Sequence, residues 1–577
     1  MIQIIKDHKW AIILAFITAI IIAAPQVYFR YDNQDAYKGI EIIGASDDEL
    51  SFLNRVREAQ DGHLSLSSTY YKEGKDEPYL FMPLGVDIVA LSGQALSLDL
   101  NNTILFSRLF FSFLVFILIY GFVFILSGQK LTALASSAAV LLASVLLGRE
   151  ALFKVLSGDS PRTGFLMMMR PVDPAMIFIF FFGFLLCFWL FLERKQWRWG
   201  IASTVLLGLS FYDYLYTWTF LYVFCGLLAL IYFFQKNWPD LKRVAIILFG
   251  GLLIAIPYFV NVYKSFIHVN PTLEEVSQRH GLIQTSGLTL GFLVPFLFVV
   301  FLLFFPRENR QRLFFCLALL TAPFIVLNQQ IVTGQTLVNA HYHWYYHTPL
   351  GIIFLLVIFF YWLSKKKWEF FRKASAVLII AVSVYTGILI QSASYAANKD
   401  MALQYQKYGQ AIDWLNTNTI KDEVVFSNYE LSQIIAIYTP LNVFHHWTID
   451  ISFSATEDRL LNTLFLLYRL DGVGKEDARE VFLQDRAKIS WSLYGLRYRE
   501  TTGSYAGIPD EVILDIVKKY QDSLSVSTGD FINQLWDKYG VKYLVWDKES
   551  EPQWNLSQYT FLRKAAEVGK FVIYQNN

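Results

Sequence analysis

Eleven separate apolar runs punctuate the chain, and this repetition limits its architecture before any single residue is considered. They lie near residues 10–29, 104–126, 131–148, 174–192, 199–215, 217–234, 243–262, 287–305, 312–328, 348–363 and 374–394. A helix needs about 20 apolar residues to cross a bilayer, and within hydrocarbon only a helix or a closed barrel satisfies its own backbone. The pattern predicts a polytopic α-helical membrane protein of about eleven transmembrane helices. Composition agrees: 55% of the 577 residues are hydrophobic and 17% are aromatic, above the norm for soluble domains. A net charge of +1 supplies no field for nucleic acid. Cys187, Cys225 and Cys316 all fall inside apolar runs, without metal-ligand spacing, and read as small buried hydrophobes.

The first run follows a basic start (Lys6, Lys9) and contains Ala23-Ala24, features a signal peptide also shows. The many later runs favour a first membrane helix. Alternate short loops carry Lys6/Lys9, Lys130, Arg194/Lys195/Arg198, Lys236/Lys242/Arg243, Arg307/Arg310/Arg312 and Lys365–Lys367 with Arg372/Lys373. With eleven spans these loops share one side, and the positive-inside rule makes it cytoplasmic. The expected protein is a multi-pass protein of the plasma (inner) membrane, with a cytoplasmic N-terminus and an extracytoplasmic C-terminal domain. Of the nine histidines only His8 falls on the cytoplasmic side. Residues 1–398 form the transmembrane domain, including a first outer loop over 30–103. Within that loop Met82–Leu96 is too short and polar to span, and is placed along the membrane surface. Residues 399–577 read as a soluble extracytoplasmic α/β domain, with a helix ending near Asn418 and strands at Glu423–Asn428, Val541–Asp547 and Gly569–Tyr574. The chain has no GxGxxG, no P-loop and no internal repeat.

Polar residues collect on the outer side. Asp47, Asp48 and Glu49 open a helix that carries Arg55, Arg57 and Glu58 and closes at Asp61-Gly62-His63. Acids there complement the helix dipole, and a capped amphipathic helix is one reading; the polar end of an active site is the other. Arg162 and Arg170 have the forked geometry that suits a phosphate, and headgroup anchoring is the alternative. Asp173 before Pro174 reads as a helix cap. Tyr212 and Asp213 sit at a break between two spans, where a carboxylate needs a cavity or a partner. Arg279 is a further phosphate or sugar ligand candidate. His341 and His343, within an aromatic stretch, suit hydrogen bonding to a phosphate or sugar, with the rings stacking on pyranose faces or forming an interfacial belt. Zinc would need further ligands.

This layout resembles the GT-C superfamily of membrane glycosyltransferases, a group that includes protein mannosyltransferases, aminoarabinose transferases and the oligosaccharyltransferase catalytic subunit. The resemblance covers about residues 1–395. It is carried by the acidic residues Asp47-Asp48-Glu49 just after the first span, the surface stretch, the many spans, Arg279-His280-Gly281, and Asn328–Gly334 with His341. It implies an inverting transfer of a hexosyl or pentosyl group from a polyprenyl-phosphate sugar to an extracytoplasmic glycan, lipid or protein. Asp48, or its neighbour Asp47, would be the base. Arg162, Arg170, Arg279, His341, His343, Tyr212 and Asp213 would bind donor phosphate or sugar. A divalent cation such as Mg or Mn, held by Glu49 and Asp48, would assist the departing phosphate. A non-enzymatic transporter or flippase of lipid-linked glycans, or a membrane scaffold, is the alternative. Against transport stand the missing repeat and spans that read as almost uncharged inside.

Overall fold

The computed structural model describes residues 6–44, 47–268, 279, 287–289, 293–334, 337–446, 455–498 and 508–576. Each of the eleven apolar runs contains a helix among the described residues, and six of the helices are long and apolar enough to cross a membrane. They are Lys9–Asp32, Leu100–Ser127, Ala175–Arg194, Leu215–Phe234, Ala340–Lys365 and the helix starting at Glu369. A seventh crossing arises if Trp238–Ile254 and Ile256–Ile267, bent by 48°, form one broken span. Pro257 lies in the first turn after that break, where its missing N–H and its ring disrupt the preceding turn. The other four runs are shorter helices: Lys130–Leu142, Trp197–Leu209, Leu293–Phe304 and Arg310–Val326. Leu84–Ala95 is a 12-residue helix, too short to span, as expected of the surface stretch.

The basic loops gather at one end of the bundle. Lys130 Nζ donates to the Asp7 carbonyl at 2.7 Å, and Lys195 meets Asp240 at 2.6 Å. Gln311 Nε2 donates to the Leu192 carbonyl at 2.9 Å, and Tyr361 donates to Glu308. Leu131 and Leu363 pack on one small apolar cluster with Phe360 and Ala376, which joins the two groups of loops.

The last spanning helix runs on to Gln404 and leads into the C-terminal domain. Its five strands are β1 (Val424–Ser427), β2 (Asn442–Val443), β3 (Val541–Asp547), β4 (Leu562–Val568) and β5 (Phe571–Asn576). They form one sheet in the order β2-β1-β3-β5-β4. β1 pairs parallel with β2 and β3, while β5 pairs antiparallel with β3 and β4. Helices pack around it, several opened by side-chain caps, including Asn428 on the Leu431 N–H and Ser527 on the Asp530 N–H.

This domain sits on the segment between the first two spanning helices. The Val443 N–H donates to the Tyr70 carbonyl at 2.9 Å, and the Glu41 N–H to Tyr438 Oη at 2.7 Å. Tyr70 stacks on His446 with ring centroids 3.8 Å apart. Arg459 binds Glu73 at 2.6 Å and lies against the rings of Tyr71, Phe444 and Tyr539.

Candidate active site

The helix Asp47–Gln60 builds one wall of the site. Leu50, Leu53, Val56 and Ala59, spaced three apart, are buried and hold its inner face. Gly62 follows at φ +98, a left-handed conformation that stops the helix. Asp47 opens the helix, and its side chain lies outside the described residues. The next two acids diverge. Asp48 is half-exposed and forms an ion pair with Arg170, Oδ2 to Nη2 2.8 Å. Glu49 is buried, accepting from Arg108 Nη2 at 2.8 Å and from the Gly44 N–H. The two carboxylates expected to share a divalent cation therefore turn to different partners, and Glu49 is committed to an arginine. No group of three or more His, Cys, Asp or Glu suited to a metal occurs among the described residues.

The loop before Ala175–Arg194 supplies the cations. Arg170 Nη1 also donates to Tyr345 Oη, at 3.2 Å. The Arg162 side chain has no hydrogen bond or ion pair among the described residues; burial and the charge of Arg170 lower its pKa. Asp173, the expected cap, makes no capping hydrogen bond, because Pro174 occupies the cap position. It is instead buried among charges. Burial pushes its carboxyl up to about 7, opposed by the attraction of Arg55 and Arg170 and reinforced by Asp48. Arg55 lies over the Phe81 ring at 3.9 Å.

Asp213 lies in the break between Trp197–Leu209 and Leu215–Phe234. It is 5% exposed, and neither oxygen has a hydrogen-bond partner among the described residues. Burial and the nearby Asp173 hold its carboxyl well above the usual range. It packs on Gly85, where a Cβ would fall 2.8 Å from Asp213 Oδ1, so a larger residue there would push the carboxyl aside. Tyr212 turns elsewhere: its hydroxyl donates to the Ile254 carbonyl at 2.8 Å and pins the bent helix pair.

His341 meets Tyr214 Oη through Nδ1 at 2.6 Å and lies within electrostatic reach of Asp48 and Arg170. A π-helical turn over His343–His347 follows, a form often found at functional sites. It leaves His343 and Trp344 exposed while burying Tyr345, Tyr346 and His347. Arg279 is drawn to the C-terminal domain, its Nη1 donating to the Ala455 carbonyl at 2.8 Å and its own carbonyl accepting from the Leu496 N–H. His280 and Gly281 lie outside the described residues.

Arg162 and Trp344 line a small cavity of about 20 Å³, together with Leu142, Met168, Pro174 and Ile390. Beside it runs an apolar groove of about 340 Å³. The groove is bounded by Ala139 and Ala143, by Ile352 and Leu356, and by Leu378 and Val382. Cavity and groove share the end of Lys130–Leu142 and the helices beginning at Thr348 and Glu369.

The structure thus brings together Asp48, Arg170, Arg162, Asp213 and His341, while Tyr212 and Arg279 face other contacts. Sequence reading missed Arg108, Arg55, Asp173 as a member of the site, Tyr214 and Tyr345. Arg108 carried a usable signal, a lone charge inside the second apolar run. The expectation of spans almost uncharged inside overlooked it.

No family model and no curated protein matches the chain. Among solved structures, ArnT from Cupriavidus metallidurans in the apo state is similar at 12% identity and a TM-score of 0.42, over 97% of each chain. ArnT bound to undecaprenyl phosphate is similar at 12% identity and a TM-score of 0.43, over 97% of this chain and 98% of that one. At this level the likeness transfers no residue and no activity.

Proposed function

We propose that this chain is a membrane glycosyltransferase that moves a sugar from a polyprenyl-phosphate donor to an extracytoplasmic acceptor with inversion. The observation that carries the reading is the apolar groove running beside a cavity that holds Arg162, which has no hydrogen bond or ion pair among the described residues, next to the Asp48–Arg170 pair. A long isoprenoid tail suits such a groove, and a phosphate suits unpaired guanidinium groups.

In this reading Asp48 accepts the proton of an acceptor hydroxyl. The acceptor oxygen bonds to the anomeric carbon as the bond from that carbon to the phosphate oxygen breaks. The lipid phosphate leaves with the electron pair. Arg170 and Arg162 stabilise the charge that develops on it. The exposed Trp344 offers a ring face to the sugar. Asp48 and Glu49 do not converge on one cation, so no step is assigned to a metal.

The test is native mass spectrometry of the purified protein beside Asp48→Asn. A co-purifying polyprenyl phosphate, with its glycosylated form enriched in the variant, supports the reading and names the sugar. Ordinary phospholipids alone in both samples would count against it. Transport of a lipid-linked glycan is the second reading, favoured by the buried Asp213, which has no hydrogen-bond partner among the described residues. Lipid-glycan movement in vesicles that survives Asp48→Asn and is lost in Asp213→Asn would select transport.

A further inference from the structure

Arg108 is the most deeply buried arginine of the membrane part, at 2% exposure, halfway along no loop but within the helix Leu100–Ser127. Its guanidinium reaches three ways. Nε donates to the Met169 carbonyl at 2.7 Å, Nη1 to Gln26 Oε1 at 2.8 Å, and Nη2 to Glu49 Oε1 at 2.8 Å. Two of these acceptors are chain neighbours of the pair exposed in the site: Glu49 follows Asp48, and Met169 precedes Arg170. The contacts close a ring. It runs from Arg108 to Glu49, along the backbone to Asp48, across the 2.8 Å ion pair to Arg170, along the backbone to Met169, and back to Arg108. One vertex is buried and charged, and the opposite vertex faces the site.

We infer that Arg108 is a positioning residue that holds Asp48 and Arg170 at a fixed separation. The inference rests on the reading of Arg170 as a phosphate ligand. Asp48 and Arg170 come from segments more than a hundred residues apart in sequence, and among the described residues their tips are held by each other and by Tyr345 alone. A planar guanidinium with donors in fixed directions can set both backbones at once. Lysine carries its three N–H donors on a single nitrogen, so it cannot reach acceptors spread around the plane of three guanidinium nitrogens. Gln26 adds a brace, since its Nε2 also donates to Glu41 Oε2 at 2.6 Å, and Glu41 in turn binds Arg30 and Tyr37.

The test measures binding of undecaprenyl phosphate to the full-length protein in detergent. Four proteins are compared: wild type, Arg170→Gln, Arg108→Met with Glu49→Met, and all three substitutions together. Removing Arg108 and Glu49 as a pair leaves no unpaired buried charge. The expected result is a loss of about tenfold in affinity for both Arg170→Gln and the paired variant, with the triple variant no weaker than Arg170→Gln alone. A purely structural role would instead give additive losses. Should the paired variant fail to fold, Arg108→Lys keeps the charge opposite Glu49, and the same non-additivity with Arg170→Gln is expected. If Arg170→Gln binds like wild type, the phosphate reading fails and the positioning role falls with it. If Arg170→Gln is weakened but the paired variant or Arg108→Lys binds like wild type, or the losses add, the positioning role alone is overturned.

Discussion

Asp173 shows how a residue can be read for the wrong neighbour. Next to a proline at a helix start it has the signature of a cap, yet it lies within the site, where burial raises its pKa against the pull of Arg55 and Arg170. Its carboxyl titrates near 7 when folded and at an ordinary carboxylate value when unfolded. Between those values the folded chain holds one proton more. The contribution of the neutral acid to stability is therefore full at low pH and is lost as pH rises through about 7. Asp173→Asn removes that slope. Melting temperatures measured at about pH 5 and about pH 8 should lie closer together in the variant than in wild type; an unchanged gap would sink the assignment. The acids Asp48 and Asp213 and the arginines Arg162 and Arg170 were legible in the sequence because charge beside apolar runs demands a reason. The divergence of Asp48 from Glu49 was not. A rotation of one residue along a helix decides which acid is buried, and the partner that decides it, Arg108, stands 59 residues from Glu49.

Helices and strands were legible to different degrees. Every apolar run contains a helix among the described residues, since length and hydropathy suffice for that. How many cross a bilayer depends on bends such as the one before Pro257 and on stops such as the turn after Leu142, which local composition hardly marks. In the C-terminal domain, β1, β3 and β5 carry Val, Ile, Phe, Tyr and Trp and were foreseen. β4 reads Leu-Arg-Lys-Ala-Ala-Glu-Val, poor strand formers, and is a strand because the edge of β5 offers it a partner. At this scale the apolar groove is the feature to probe. Ala139→Phe fills it from the helix Lys130–Leu142. Affinity for undecaprenyl phosphate should fall by about tenfold while the melting temperature barely moves, because the added ring replaces lipid rather than protein neighbours. Equal affinity in a titration would show that the tail lies elsewhere.

The molecule as a whole is held between its two ends. Arg459 of the C-terminal domain, 3% exposed, binds Glu73 of the segment between the first two spanning helices and three aromatic rings. Glu73 keeps 37% of its side chain in solvent, so it rehydrates if Arg459 is removed. Arg459→Ala should therefore cost about 2 kcal/mol, less than a fully buried pair would. A protease cutting near Tyr70 and Tyr71 should reach them sooner in the variant, and equal cleavage rates would contradict the docking described above. The same docking sets an order of events during synthesis. The segment between the first two spanning helices is made early, but the residues that cover it, from Tyr438 to Arg459, follow only after every spanning helix. A ribosome that stops after the last spanning helix leaves Tyr70 and Glu73 uncovered, so the wall that carries Asp48 takes its final shape only once the membrane part is already in place.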